Sequence, residues 1–193
     1  LSYLSLKKLN KCGLFAFLFS LLLISGCIFY PTHKVSTFDL GVPKKITSPK
    51  IRLYVMPFMN GTESAYQMLY RTGKYEIEKD PYNRWIKTPG MLITSYLRDS
   101  LGFNNEAFSQ DEDYILYGDV TLFEINLKEK YTKLSVNYRI KHNNIYILEN
   151  EETFKQTFDE PSPDNFAKAM SISAGDLANK IRQQLIDLKT KSI

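Results

Sequence analysis

Hydrophobic and polar positions follow two rhythms along this chain. Ile51, Leu53 and Val55 alternate with Arg52, Tyr54 and Met56, the period-two pattern of a half-buried strand, and Pro57 and Asn60-Gly61 close it. The same rhythm returns from Lys133 to Lys141, where Leu134, Val136, Tyr138 and Ile140 share one face and Lys133, Ser135, Asn137 and Arg139 the other. Asn143-Asn144 reads as a hairpin turn into a strand from Ile145 to Phe158. Tyr114 to Ile125 is a long apolar strand with Gly118 as a bulge. Upstream, Thr37 to Leu40 is a short first strand, and Gly41 to Pro49 is a loop with two prolines and a glycine. Gln67 to Arg71 and Tyr75 to Lys79 flank a bend at Thr72-Gly73.

The second rhythm is helical. Thr88 can cap and Pro89 suits the first turn of a helix whose apolar stripe is Leu92, Ile93, Tyr96, Leu97 and Leu101, with Gly102 ending it. Ser162-Pro163-Asp164 opens a second helix with a cap, a first-turn proline and an acid near the positive end. Its stripe runs Phe166, Met170, Ala174, Leu177, Ile181, Leu185, Leu188, which packs on a sheet and can also offer its last turns to a partner. These elements predict an α/β fold of α+β character. Its sheet is mixed and largely antiparallel, with one solvated face and two main helices packed on it.

The N-terminus breaks both rhythms. Lys7, Lys8 and Lys11 are the only charged residues before Lys34, and Gly13 to Ile24 is an unbroken run dominated by apolar residues. Ile24-Ser25-Gly26-Cys27 follows it. A basic start, a short apolar core and small residues before a cut describe a bacterial secretory signal. A helix of that run reaches roughly 18 Å against a hydrocarbon core of about 30 Å, so a transmembrane anchor is the weaker reading. The tetrad resembles a lipobox, in which the Cys27 thiol takes a diacylglyceryl group and the new N-terminus a further acyl chain. Two or more chains hold a protein stably on a membrane. Ile28, where an aspartate would retain a lipoprotein in the inner membrane, favours the periplasmic face of the outer membrane. The chain therefore divides into a signal over 1–26, a lipidated tether over 27–36 and one domain over 37–193.

That division changes the charge. The full chain carries 25 Lys+Arg against 21 Asp+Glu, a formal net charge of +4 that invites a nucleic-acid partner. Removing 1–26 takes three lysines and no acid, leaving a nearly neutral module. Its bases are interleaved with acids, as in Lys128-Glu129-Lys130, so no nucleic-acid partner is expected despite 13 Tyr, 12 Phe and one Trp. Of the two cysteines, Cys12 leaves with the signal and Cys27 is acylated, which leaves no thiol for a disulfide, metal or nucleophile. His33 lies in the tether and His142 at a hairpin end as a solvated turn residue, too few for a His-based metal site. Asp111-Glu112-Asp113 lacks the glycine and terminal glutamate of a calcium loop, and Asn60-Gly61-Thr62 reads as a turn. No phosphate-binding glycine loop, CxxC or HExxH is present. No metal, cofactor or catalytic residue is expected beyond the covalent lipid, and the chain reads as a non-enzyme.

The stretch from Met68 to Leu101 carries a further pattern: Met68-Leu69-Tyr70-Arg71, then Tyr75, then Tyr82-Asn83-Arg84-Trp85, then Pro89 and the Leu92, Leu97, Leu101 helix. With Phe38-Asp39-Leu40 and the lipobox, it resembles the ABC-type transport auxiliary lipoprotein family, which includes paraquat-inducible protein C. The pattern departs at Phe38, where tyrosine is commoner, and at Asn104-Asn105 after the first helix. The resemblance implies a fold like the N-terminal domain of the translocation protein TolB. It also implies an outer-membrane lipoprotein that works with an inner-membrane ABC transporter through a protein carrying an MCE (mammalian cell entry) domain, moving lipid between membranes. Tyr70, Arg71, Tyr82, Arg84, Trp85 and Pro89 are then the motif residues. Trp85 has two readings: a core-edge anchor entering the helix from a loop, or an interface hot spot for the transporter or another copy of the chain. Arg84 would stack on an aromatic ring or pair with Asp80 or Glu78. The competing function classes are a structural envelope lipoprotein in outer-membrane assembly or integrity, and a periplasmic hydrolase.

Overall fold

The computed structural model describes residues 33–46, 51–101 and 114–191. The lipobox residues Ile24, Ser25 and Gly26, Cys27 itself, Asn104-Asn105 and the 111–113 acidic run lie outside them. Among the described residues the elements run β1 (Ser36–Phe38), β2 (Leu53–Val55), β3 (Met59–Asn60), β4 (Gln67–Arg71), β5 (Ile77–Trp85), α1 (Pro89–Leu101), β6 (Tyr114–Asn126), β7 (Tyr131–His142), β8 (Ile145–Thr157) and α2 (Pro163–Lys191). No helix among them is long and apolar enough to cross a membrane.

The strands form one open mixed sheet in the order β1-β5-β4-β6-β7-β8, with β2 and β3 also paired to β6. β6, β7 and β8 are a continuous antiparallel meander. Its second turn is Asn143-Asn144, with φ of 49° and 63°, the left-handed pair that a two-residue hairpin turn of this hand requires. The parallel pairings lie elsewhere: β1 with β5, and β2, β3 and β4 in succession along β6. α1 and α2 touch each other and share one apolar cluster with the sheet. Leu134, Val136, Tyr138 and Ile140 of β7 point into it, as their alternation predicted, against Leu92, Ile93 and Leu97 of α1 and Met170, Leu177 and Ile181 of α2.

Three strand readings need correction. The expected strand from Ile51 to Phe58 is interrupted: Pro57 has no N–H to give, so pairing stops after β2 and resumes as β3. Tyr82 to Trp85 is the end of strand β5 rather than a loop, because Asn83, Arg84 and Trp85 pair with Ser36, Thr37 and Phe38 of β1. Gly118 is not the bulge. It stays in register with Tyr138, and the ladder shifts between Val120 and Leu122. Gly118 is there because the buried Phe58 ring lies on it: a Cβ would stand 2.3 Å from Phe58 Cε1.

That contact cannot relax cheaply. The Phe58 N–H donates to Thr94 Oγ1 at 2.8 Å, and Thr94 Oγ1 donates to the Gly90 carbonyl at 2.7 Å, which fixes the Phe58 backbone on α1. Gly118→Ala should therefore behave as an overpacked core and cost about 1–3 kcal/mol. The measurement is a thermal melt, and an unchanged melting temperature would refute the ring contact.

Candidate functional site

The motif residues fall on one irregularity, where strand β5 carries too many residues for its partner. Gln67 pairs with Arg84 and Leu69 with Lys79, so the stretch Asp80–Asn83 bulges opposite the single residue Met68. Asp80 closes the bulge. Its Oδ1 accepts the Tyr82 N–H at 2.8 Å and the Asn83 N–H at 2.9 Å, while Oδ2 accepts the Asn83 side-chain amide at 2.8 Å and the Tyr70 hydroxyl at 2.5 Å. The sequence reason is Asp80-Pro81: an aspartate before proline folds back on the two following N–H groups, and proline has none to compete. From the end of the bulge onward, Asn83, Arg84 and Trp85 pair with β1.

The electrostatics follow from this geometry. Burial alone would raise the Asp80 pKa, but the Tyr70 hydroxyl, the Asn83 amide and two backbone N–H groups outweigh it and hold the carboxyl below its ordinary value. Burial, and then donation to Asp80, push the Tyr70 hydroxyl up, so it stays a donor. Tyr70 also meets Phe166 of α2 edge-on at 5.7 Å, which ties the bulge to the second helix. Next door, Arg71 grips Glu124 of β6 through both arms, Nε to Oε1 at 3.0 Å and Nη2 to Oε2 at 2.7 Å. This hydrogen bonding outweighs desolvation and keeps the guanidinium charged.

The six motif residues thus separate. Tyr70 and Arg71 are structural locks on neighbouring strands. Trp85 is 2% exposed, with its ring edge-on to Phe123 at 5.0 Å, and its backbone N–H donates to the Tyr66 carbonyl at 2.6 Å. That burial makes it a core anchor and leaves its ring little surface to offer a partner. Pro89 is buried in the first turn of α1, where Thr88 Oγ1 accepts the Met91 N–H at 3.4 Å. Tyr82 and Arg84 remain at the surface of β5. The expected Arg84–Asp80 pair is replaced by the Tyr70, Tyr82 and Asn83 bonds, which already occupy both Asp80 oxygens. His142 is half-buried and stacks on Tyr114 at 4.3 Å and 10°, not a fully solvated turn residue.

Sequence reasoning missed Glu124, Thr94 and Arg98. Arg98 donates from Nε and Nη2 to the Val55 carbonyl, at 3.0 and 2.7 Å, and holds the end of β2 against α1. No local motif signals such long-range partners. Asp80 and Asn83 did carry a signal, the turn-forming Asp-Pro-x-Asn, which was hidden because the segment still reads as strand.

No protein-family model matches the chain, and no curated protein matches it in sequence. Solved structures do match in fold. One is a protein of Xanthomonas campestris assigned to the family of unknown function DUF330, at TM-score 0.65 and 14% identity over 82% of this chain and 99% of that one. Another, described as an uncharacterized protein, aligns at TM-score 0.64 and 11% identity over 79% of this chain and 99% of its own. The chain thus shares its α/β architecture with these proteins; at such identities the likeness reaches no further than the fold.

Two stability tests follow. Trp85→Ala should cost about 3–5 kcal/mol, as for a large aromatic lost from a core, and denaturant titration reads it directly. Asp80 has a depressed folded pKa, so its stabilisation is present above the ordinary value of 3.8 and is lost as pH falls through the folded value. Asp80→Asn should therefore lower stability at pH 7 and flatten the acid limb of a stability–pH curve. An acid limb of unchanged slope would show that Asp80 does not contribute to it.

Proposed function

We propose that this chain is a lipid-anchored, non-enzymatic accessory module of an MCE-type ABC transport system. It would stand on the periplasmic face of the outer membrane and serve lipid transfer between membranes. The observation that carries the reading is Ile24-Ser25-Gly26-Cys27 at the end of a short apolar run behind three lysines. The resemblance of the Met68-to-Leu101 segment to the auxiliary lipoprotein family supplies the partner class.

Two structural features support the reading. The Tyr70–Asp80–Asn83 cluster is closed on itself: both carboxylate oxygens are filled by groups that shape the bulge, so Asp80 acts as a brace. The described domain begins its first strand at Ser36, a few residues beyond Cys27. The nine residues from Ile28 to Ser36 span at most about 30 Å, which keeps the domain close to its own membrane and leaves a partner in the opposite membrane to reach it.

Cys27→Ala should abolish incorporation of radiolabelled palmitate and move the protein from the membrane to the soluble fraction. Affinity purification of the acylated protein should then recover an MCE-domain protein with its permease and ATPase. Recovery of envelope scaffold proteins without any MCE protein would overturn the transport reading and favour a structural envelope role.

A further inference from the structure

A cavity of about 320 Å³ lies where α1 and α2 meet the segment leading to Ile46. Lys44 and Lys45 stand on one side of it, Tyr96 and Ser100 of α1 on a second, and Asn179 and Arg182 of α2 on a third. The lysines are held there by their neighbour: the Ile46 N–H donates to the Ser100 carbonyl at 2.8 Å, and the Ile46 side chain packs on the core. Tyr96 is buried, and a Cβ on Gly175 would stand 3.2 Å from its hydroxyl, so the hydroxyl lies at the contact between the helices.

The charge here is one-sided. Among the described residues the lining holds three cations and no carboxylate. None of the three takes part in an ion pair among those residues, whereas Arg71 grips Glu124 and Lys180 pairs with Glu152 at 3.4 Å. Arg182 is the telling group. Its Nε is buried without a hydrogen-bond partner, a costly state for a charged donor. The negative end of α1 accounts for an attraction on Lys44 and Lys45, which sit by its last turn. It leaves the buried Arg182 Nε without a partner. In a mature chain that is nearly neutral overall, this is a local excess and not part of a generally basic surface.

We propose that this cavity binds a phosphate-bearing anion of headgroup size, such as a phosphoester of a small polyol. A guanidinium fork suits two phosphate oxygens at once, and lysines add charge without fixed geometry. The Asn179 amide and the Tyr96 hydroxyl supply donors for the remaining oxygens or the polyol, while the Ser100 hydroxyl already donates to the Leu97 carbonyl at 3.3 Å. The volume is at the lower end of the range for small-molecule sites, about 300–1,000 Å³, which fits a headgroup and not a whole lipid. The ligand chemistry is shared by a free glycerophosphate and by the headgroup of an anionic phospholipid.

The test is isothermal titration calorimetry on the full acylated chain in nonionic detergent, with two probes: glycerol 3-phosphate and dihexanoylphosphatidylglycerol. We expect saturable binding that weakens with added salt, and about tenfold or greater loss of affinity in Arg182→Gln. The double variant Lys44→Gln/Lys45→Gln alters only exposed side chains and should lose affinity while keeping the wild-type melting temperature. Binding of both probes supports a site open to soluble phosphoesters, and binding of the lipid probe alone supports a headgroup site. No saturable binding of either probe, or lysine-variant affinities equal to wild type, would overturn the proposal.

Discussion

Strand β6 must find backbone partners along both of its edges, and one edge is hard to satisfy. Toward β7 the ladder runs from Ile115↔Lys141 to Asn126↔Tyr131, supplied by a hairpin with a short turn. Toward β4 no single strand is long enough. Three short ones line up instead, all parallel to β6: β2 against Tyr114–Leu116, β3 against Asp119-Val120, β4 against Ile125-Asn126. Additional backbone bonds join Met56 N–H to the Leu116 carbonyl and Gly61 N–H to the Val120 carbonyl, both at 2.9 Å. Short parallel strands do not hold themselves, since each contributes only a few bonds. Helix α1 holds them from above, through Arg98 on the Val55 carbonyl and Thr94 on the Phe58 N–H. The Phe58 ring then fills the space that Gly118 leaves on β6. The polar residues of α1 are therefore part of the sheet's pairing.

The bulge in β5 solves a related problem one strand further out. β4 is five residues long and β5 nine, so a regular hairpin would leave the end of β5 without a neighbour. The Asp80 clamp lets Asn83–Trp85 pair on to β1 while Trp85 turns into the core. The clamp satisfies four donors with one carboxylate, and this is why its burial is tolerated: an ionised group with its lone pairs filled lacks the penalty of a bare buried charge. Tyr70 links the clamp to Phe166, and Phe166 in turn meets Phe158 edge-on at 4.8 Å, so the bulge, the end of the meander and the start of α2 share one aromatic seam.

Periodicity carried the regular half of this fold. The alternation in Lys133–Lys141, the Asn-Asn turn and both helix stripes depend on neighbours in sequence, and those elements stand where their patterns predict. The irregular half depends on partners far away. Phe58 and Gly118 are sixty residues apart, and nothing local tells a glycine under a ring from a glycine in a bulge. Pro57 stops a strand, but whether pairing resumes beyond it depends on the length of β6. The motif around Trp85 was recognisable as a pattern. Its sorting into core, lock and surface required the strand register, because on a strand a one-residue shift exchanges the two faces. The basic cavity was invisible for a plain reason. Lys44-Lys45 and Arg182 lie more than 130 residues apart, and each alone reads as an ordinary solvated charge.

The sheet's two ends meet solvent in different ways, and charge explains the difference. β1 is three residues long, too short to template another strand. β8 is thirteen residues long and should be the hazard, with Ile145 and Tyr146 exposed near its start. Cations cover that start: Arg139 and Lys141 lie over the Tyr146 ring at 5.5 and 5.7 Å, and Tyr117 meets it edge-on at 6.3 Å. Further along, Glu149, Glu151, Glu152 and Lys155 interrupt the apolar run, and Glu152 is drawn to Lys180 of α2. At this end of the sheet several charges therefore act locally, on a ring or on an opposite charge within reach. A single formal total of +4 hides that arrangement. The property that governs what such a surface attracts is the local imbalance, and at the junction of α1 and α2 that imbalance is positive.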